Sequence, residues 1–221
     1  MYCPFCNSSN IYSIKEKKKI FWRCNYCHGI FLDSQFFLKP SEQKKRYDCH
    51  NNNVTDSGYR KFLEDFIFPV FLYIKNPIAT VLDFGCGPCD ESGISNLNQV
   101  VIDSIQSHKI ELVQWDPYFY PDENSLKKQY DLVFCLEVAE HFENPEEGFC
   151  NLSRVCKAGG FVAIGTMLVP DTDTTFKKWW YKNDSTHVAF YSLPALKACA
   201  SKAGLELVAI LTKRCFLFIK K

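Results

Sequence analysis

The chain has 221 residues, 47% of them hydrophobic and 23% charged, and its formal net charge is +1. This composition excludes an intrinsically disordered chain, and the length allows one complete domain with a small appendage. Because its apolar runs are far shorter than a membrane span and its first residues do not resemble a signal peptide, we expect a cytoplasmic protein without a membrane partner.

Two Cys-x-x-Cys pairs lie near the N-terminus, Cys3 with Cys6 and Cys24 with Cys27. This spacing brings two turns together so that four thiolates can surround one tetrahedral zinc ion. Two short strand-like pieces and a charged turn separate the pairs, which is the layout of a zinc ribbon. We therefore predict a structural zinc site in a domain of residues 1–38; a pair of redox dithiols is the alternative. The other eight cysteines are expected to be free thiols.

The N-terminal region of the chain is basic. Within it, the basic run at residues 15–19 precedes Phe21, Trp22 and Arg23. Lysines that meet phosphates and aromatic rings that stack on bases would make this an RNA contact. A solvated hairpin tip above a small aromatic core is the alternative, and it is favoured because one short run carries little charge. RNA therefore stays the second partner class, beside a small-molecule acceptor.

Residues 39–58 are mostly polar and are predicted to be a linker or a short helix. Apolar residues then recur at helical spacing from Gly58 to Pro77, with Pro69 as a kink. We expect this helix to pack against a sheet that begins at Val81, within a domain of residues 59–221. Tyr47, His50 and Tyr59 precede that sheet and are candidates for a segment that closes over a ligand.

The segment Val81-Leu-Asp-Phe-Gly85-Cys-Gly87 predicts a buried strand that ends in a sharp turn. Its two glycines let the backbone approach a ligand where any Cβ would intrude. No Lys-Ser or Lys-Thr follows, which argues against a phosphate loop, and Gly93 lies too far along for a dinucleotide fingerprint. An ordinary strand-to-helix turn is the alternative interpretation.

The next helix is predicted from Ile94 to about His108, and the second strand from Ile110 to Trp115. Asp116 at the end of that strand is placed to accept hydrogen bonds from ribose hydroxyls. Asp103 lies nearer the usual sequence offset, but it falls inside the helical repeat, so Asp116 is preferred.

The remaining elements alternate between strands and helices and predict a doubly wound, mostly parallel α/β sheet. They are a strand at 129–136, an exit loop at 137–141, a helix from Asn144 to Cys156, a turn at 157–160, a strand at 161–166, an aromatic loop at 179–187, a helix at 193–203 and closing strands at 205–211 and 215–219. Trp179, Trp180, Tyr181, Phe190 and Tyr191 either roof an acceptor pocket or cover the core.

The segment from Val81 to Pro88 resembles motif I of the class I S-adenosylmethionine-dependent methyltransferases, with Cys89 in place of the third glycine. Glu137-Val-Ala-Glu-His141, Asn144-Pro145 and Lys157-Ala-Gly-Gly160 are similar to later motifs of small-molecule enzymes of this class. The cysteine pairs, Arg46-Tyr-Asp-Cys-His-Asn and Tyr181–Tyr191 are similar to a bacterial group with an N-terminal zinc ribbon. The resemblance implies a seven-stranded Rossmann-like methyltransferase sheet, S-adenosylmethionine as cofactor and a small-molecule acceptor.

The resemblance also implies roles for individual residues. The cofactor-binding positions are Asp83, Phe84, Gly85, Cys86 and Gly87 for the methionine part, Asp116, Pro117 and Tyr118 for the ribose and adenine, and Leu136 and Glu137 beside the sulfonium. Glu137, His141 and His187 are the catalytic candidates, since either histidine could take the proton of a hydroxyl acceptor. Structural, hydrogen-bonded histidines are the alternative.

Two other functions remain open at this point. A ribosomal RNA methyltransferase would use the basic ribbon to bind RNA. A scaffold that binds the donor without turnover would follow if Cys89 has spoiled the glycine loop.

Overall fold

The computed structural model describes residues 1–49, 52–89, 93–105 and 110–221. Its N-terminal part is a small antiparallel sheet of β1 (Ile11–Glu16), β2 (Lys19–Cys24) and β3 (Ile30–Leu32). Lys17 adopts a left-handed conformation in the turn between β1 and β2, with φ of 54°. The predicted hairpin between the two cysteine pairs is confirmed.

The main sheet has six strands in the order β5-β4-β6-β7-β10-β9. The strands are β4 (Thr80–Phe84), β5 (Glu111–Trp115), β6 (Tyr130–Leu136), β7 (Cys156–Gly165), β9 (Leu205–Ile210) and β10 (Cys215–Lys220). Strands β4 to β7 pair in parallel, and β10 runs antiparallel to β7 and β9. The predicted fold class is confirmed, although a seventh strand is absent from this sheet in the described residues. Between β5 and β6, where Pro117 and Pro121 cannot donate ladder hydrogen bonds, the chain forms an isolated antiparallel bridge of Asp116 with Tyr120 and a 3-10 turn at Ser125–Lys127.

Within the described ranges, six helices accompany the sheets: α1 (Pro40–Tyr47), α2 (Ser57–Tyr73), α3 (Asn96–Ile105), α4 (Pro145–Val155), α5 (Asp173–Lys178) and α6 (Leu193–Lys202). The side chain of Asp56 accepts from the Tyr59 amide and caps α2, which continues past Pro69. Successive residues of each strand point to opposite faces of the main sheet, and each face is covered by a different set of helices. Val81 and Leu132 lie in the cluster with α2 and α3, whereas Leu82 and Val133 lie with α4 and α6.

Four predicted elements differ from the structure. Helix α2 ends at Tyr73 rather than near Pro77. Helix α3 begins at Asn96 rather than Ile94, and its predicted end near His108 lies outside the described residues. The predicted turn at residues 157–160 lies inside the span of β7, as a bulge at the break in its register with β6; none of these four residues pairs with β6 or β10, and Gly159 takes a φ of 74°. The aromatic loop contains a 3-10 turn at Trp180–Asn183.

The cysteine-rich sheet is part of the main body's core. Strand β8 (Ala189–Phe190) pairs with β3 as a fourth strand of that sheet. The ring of Phe5 lies 5.0 Å from that of Tyr191, and the ring of Phe21 lies 5.2 Å from that of Phe176. Because Phe21 is buried in these contacts, it is not available to stack on a base. In the described part of the chain, no helix is both long and apolar enough to cross a membrane.

Candidate active site

A cavity of about 1120 Å³ opens at the carboxyl ends of β4, β5 and β6. One side, here called the strand-end wall, consists of residues 84–87 and 115–119. The other side, here called the histidine wall, consists of Arg46, His141, Asp184 and His187. Parallel α/β sheets bind their ligands at this edge, so the cavity lies where a ligand is expected.

The glycine turn forms the first part of the strand-end wall. The amides of Gly85 and Cys86 both donate to the Trp115 carbonyl, at 2.7 and 3.2 Å. Gly85 has a φ of 77°, and a Cβ there would lie 2.5 Å from Cγ2 of Val138. Gly87 has a φ of 66°, but a Cβ there would meet nothing within 4 Å. The first glycine is therefore required by packing and conformation, and the second by conformation alone.

Asp116 ties the end of β5 to the glycine turn. One carboxylate oxygen accepts from the amides of Tyr118 and Phe119, at 2.8 and 3.1 Å, and the other accepts from the Gly87 amide at 3.0 Å. The carboxylate lines the cavity although only 7% of the residue is exposed. Asp103, the alternative candidate, lies on α3 in a 2.9 Å ion pair with Arg60 and does not line the cavity.

Asp83 lies beneath the turn rather than in the cavity lining and is 4% exposed. Burial raises the pKa of its carboxyl group to about 7, with a further increase from the charge of Asp116, while a hydrogen bond from Ser95 opposes the shift. A cationic ligand group would restore the charged form, so this carboxyl group is suited to respond to one.

The two candidate histidines face each other across 4.8 Å between ring centroids. Nδ1 of His141 lies 3.1 Å from the Thr186 carbonyl, and Nδ1 of His187 lies 2.8 Å from the Tyr181 carbonyl. Because a carbonyl oxygen only accepts, each Nδ1 carries the hydrogen, and Nε2 of the neutral ring keeps its lone pair. Burial lowers the pKa of His141, and burial together with His141 lowers the pKa of His187 to about 3.

Asp184, three residues before His187, holds its carboxylate through contacts with Arg46 and Thr186. It pairs with Arg46 at 2.7 Å and accepts from the Thr186 amide and hydroxyl at 3.0 and 2.6 Å. Burial opposes ionisation, but the hydrogen bonds from Thr186 and the charges of His187 and Arg46 outweigh it and lower the pKa of Asp184 to about 2. The Arg46 pair joins α1 to the aromatic loop, and no local sequence signal connects residues 138 positions apart.

Glu137 follows β6 directly, lines the cavity beside Leu136 and has a φ of 53°. Among the described residues, no atom forms a hydrogen bond with its Oε1, which is buried. Burial raises the pKa of Glu137, and the charge of Glu140 raises it further. Glu140 was not a candidate. It is fully buried and accepts hydrogen bonds from the hydroxyls of Tyr181 and Thr166. The bond from Tyr181 anchors the aromatic loop, residues 179–187, to the segment after β6.

Helix α1 covers the mouth of the cavity. The hydroxyl of Tyr118 donates to Gln43 at 2.9 Å, and the Tyr47 ring lies 5.5 Å from the Tyr118 ring and 5.4 Å from the His141 ring. Tyr59 also lines the cavity, whereas His50 lies outside the described residues. The helix thus touches both walls.

The five aromatic residues proposed as a roof divide into two groups. Trp180, which is 61% exposed, and Tyr181 line the cavity. Trp179, Phe190 and Tyr191 instead pack on the cysteine-rich sheet and the core. Only the first pair is placed to touch a ligand.

The four N-terminal cysteines come together as the spacing predicts. Sγ of Cys3 lies 3.6 Å from Sγ of Cys27, and Sγ of Cys6 lies 3.6 Å from Sγ of Cys24. The residue after each pair, Asn7 or His28, has a φ of 60°, so the two turns have the same shape. A tetrahedral zinc ion with Zn–S bonds of about 2.3 Å needs S–S edges of about 3.8 Å, which this arrangement fits.

The model of the family described as "Methyltransferase domain" matches residues 56–210 of this chain. Among curated proteins, the ubiquinone biosynthesis O-methyltransferase of Rickettsia bellii (strain OSU 85-389) is 33% identical over 104 residues, which cover 39% of this chain and 41% of that protein. The protein of the same name from Rickettsia conorii is 33% identical over 104 residues, or 39% and 34% of the two chains. The match thus spans less than half the length of these relatives.

Two solved structures share the fold at low sequence identity. An O-methyltransferase family protein from Burkholderia thailandensis has a TM-score of 0.52 and is 14% identical, over 84% of this chain and 60% of that chain. A chain from the complex between the Trm112 methyltransferase activator and a methyltransferase of Haloferax volcanii has a TM-score of 0.52 and is 15% identical, over 74% and 77% of the two chains.

Proposed function

This chain belongs to the methyltransferase domain family, and from that premise we propose that it transfers the methyl group of S-adenosylmethionine to a hydroxyl group of a small molecule. The observation that carries the proposal is the cavity itself. It places a glycine turn braced by Asp116 opposite two neutral histidines.

The donor would lie along the strand-end wall. The open side of Gly87 leaves room for the methionine part of the donor, and Asp83 beneath the turn would act on the donor's amino group through the loop. Asp116 has accepting capacity for ribose hydroxyls beyond its backbone bonds, since a carboxylate offers about four lone-pair positions. Pro117, Tyr118 and Phe119 would cover the adenine, and Leu136 with Glu137 would lie beside the sulfonium.

The acceptor would lie against the histidine wall. A sulfonium supplies an already activated methyl group, so the chain's main task is to align the acceptor oxygen and exclude water. Nε2 of His141 or of His187 would accept the hydroxyl proton, because both rings are neutral near pH 7. The unpaired Oε1 of Glu137 is available to a polar group of either ligand.

We propose in addition that Cys3, Cys6, Cys24 and Cys27 hold a structural zinc ion. Four thiolates close its coordination sphere, so the ion would stabilise the small sheet and take no part in methyl transfer. Through the pairing of β3 with β8, the ion would also support the segment that carries His187.

The test is incubation of the purified, metal-loaded chain with isotopically labelled S-adenosylmethionine and a fractionated lysate, with and without ribonuclease. We expect label in a small-molecule fraction that ribonuclease does not alter. Label that disappears with ribonuclease would replace this proposal with an RNA methyltransferase. Absence of label in every fraction, with donor binding intact, would support the scaffold.

A further inference from the structure

Cys86 and Cys89 form a third Cys-x-x-Cys pair, which lies in the glycine turn and encloses Gly87 and Pro88. Both cysteines are free and half-buried, and their side chains hydrogen-bond to each other. Cys86 also lines the cavity, and Cys89 is itself partly exposed. Neither thiol belongs to the four-cysteine cluster.

The surroundings of the two sulfur atoms differ. Sγ of Cys89 accepts from Nε2 of Gln114 at 3.2 Å and also has hydrogen bonds with Cys86 and Tyr120. The hydrogen bond from Cys86 is the main reason why the pKa of Cys89 is lowered, and the same contact together with burial raises the pKa of Cys86. Cys89 is therefore the thiol that ionises and attacks, and Cys86 is the one that resolves.

We propose that Cys86 and Cys89 are a redox-active dithiol, and that their disulfide weakens binding of the donor. The oxidant is a small-molecule disulfide such as oxidised glutathione. The Cys89 thiolate attacks one of its sulfurs, which forms a mixed disulfide and releases one thiolate. Cys86 then loses its proton and attacks the Cys89 sulfur, which releases the second thiolate. Two protein thiols are oxidised and one small disulfide is reduced to two thiols.

The effect on the donor follows from the position of the pair and rests on the proposed function. The Cys86 amide donates to the Trp115 carbonyl, and the Gly87 amide donates to Asp116 at 3.0 Å. A disulfide requires the two sulfurs to approach to about 2.05 Å with a fixed dihedral angle. Closing the bond fixes the two side chains and constrains the short backbone between them, and that backbone carries the Gly87 amide that braces Asp116. The oxidised turn would therefore hold the donor poorly.

The experiment uses the full, metal-loaded chain in a Cys49→Ser, Cys150→Ser background, because those two cysteines are exposed and would react with the oxidant. The protein is equilibrated with oxidised glutathione and then alkylated and digested with trypsin. Peptide 76–109 contains Cys86 and Cys89 and no other cysteine. We expect this peptide to have lost two hydrogens and to resist alkylation until dithiothreitol is added. Full alkylation of both thiols after oxidation would overturn the proposal.

Binding is measured in parallel by calorimetry with S-adenosylhomocysteine. We expect the dissociation constant to rise at least about tenfold on oxidation and to recover on reduction. A Cys89→Ser variant should bind equally before and after oxidation, because it cannot form the disulfide. Equal binding of S-adenosylhomocysteine by the reduced and disulfide forms would overturn the proposal that the disulfide weakens donor binding. If the reduced chain does not bind, the proposed function fails, while the peptide result still decides whether the dithiol is redox-active.

Discussion

The two walls of the cavity are built in different ways. The strand-end wall comes from two short stretches, residues 84–87 and 115–119, and its shape is set by backbone hydrogen bonds between adjacent strands. The histidine wall takes Arg46, His141, Asp184 and His187 from segments that are distant in sequence, and it is joined by an ion pair and by side-chain bonds to carbonyls. The sheet alone is therefore sufficient to shape the first wall, whereas the second depends on how the N-terminal segments dock.

Removal of zinc by a chelator should produce the largest difference in stability between the two walls. A structural zinc ion contributes on the order of 10 kcal/mol, and the sheet it supports pairs with β8 next to His187. We expect amide hydrogen exchange to rise at residues 187–192 while residues 81–87 keep their protection. Unchanged exchange in both segments would contradict this. A Cys49→Ser variant, which alters an exposed cysteine outside the cluster, is the control.

Substitution of the histidines should separate the walls by function. Loss of the base that accepts the proton typically costs about 10²–10⁴-fold in rate, so we expect His141→Ala or His187→Ala to lower kcat in that range. The dissociation constant of S-adenosylhomocysteine should change less than about twofold, since neither ring lies on the strand-end wall. A comparable loss of donor affinity would show that the walls are not independent.

The pH dependence of kcat tests whether the base is a histidine with a lowered pKa. The pKa of each histidine is lowered, that of His187 to about 3, so both rings are neutral above the ordinary value of about 6.5 and remain largely neutral somewhat below it. We therefore expect kcat at saturating donor to stay level from pH 8 to pH 6. Because burial also raises the pKa of Glu137 in the same cavity, the profile is repeated with Glu137→Gln, and a decline centred near pH 6.5 in that variant would mean that the base has an ordinary histidine pKa.

The glycine turn offers a matched pair of substitutions. In Gly85→Ala the new Cβ would strike Val138 in a left-handed conformation, so we expect a loss of about 2–4 kcal/mol in the free energy of unfolding. In Gly87→Ala only the conformational cost remains, about 1 kcal/mol. Urea denaturation measures both values, and equal losses would contradict the packing difference.

Asp83→Asn should increase stability while it harms function. Burial raises the pKa of Asp83 to about 7, so the ionised form is penalised in the folded state as the pH rises from about 4 to 7. We expect the variant's free energy of unfolding at pH 8 to exceed that of the unmodified chain by on the order of 4 kcal/mol. The gain should shrink at pH 5 and vanish below about pH 4. A gain independent of pH would argue against a buried charge.

The same contrast explains what sequence reasoning could find. The glycine turn, Asp116 and the cysteine cluster were accessible because neighbouring residues or a regular spacing determine them. The pairing of Arg46 with Asp184 and the support of the loop by Glu140 and Tyr181 were missed, because only tertiary packing joins them. The two glycines of residues 157–160 predict a turn, and the structure has an unpaired bulge there within the span of β7, which depends on the register of two strands distant in sequence.

We propose that the strand-end wall binds the methyl donor. Calorimetry of S-adenosylhomocysteine with the reduced, metal-loaded chain measures this binding, with Asp83→Ala, Asp116→Ala and, as control, Asp103→Ala. We expect the first two variants to weaken binding by more than about tenfold and the control, whose carboxylate lies outside the cavity lining, to bind as the unmodified chain does. Full affinity in both Asp83→Ala and Asp116→Ala would contradict the account.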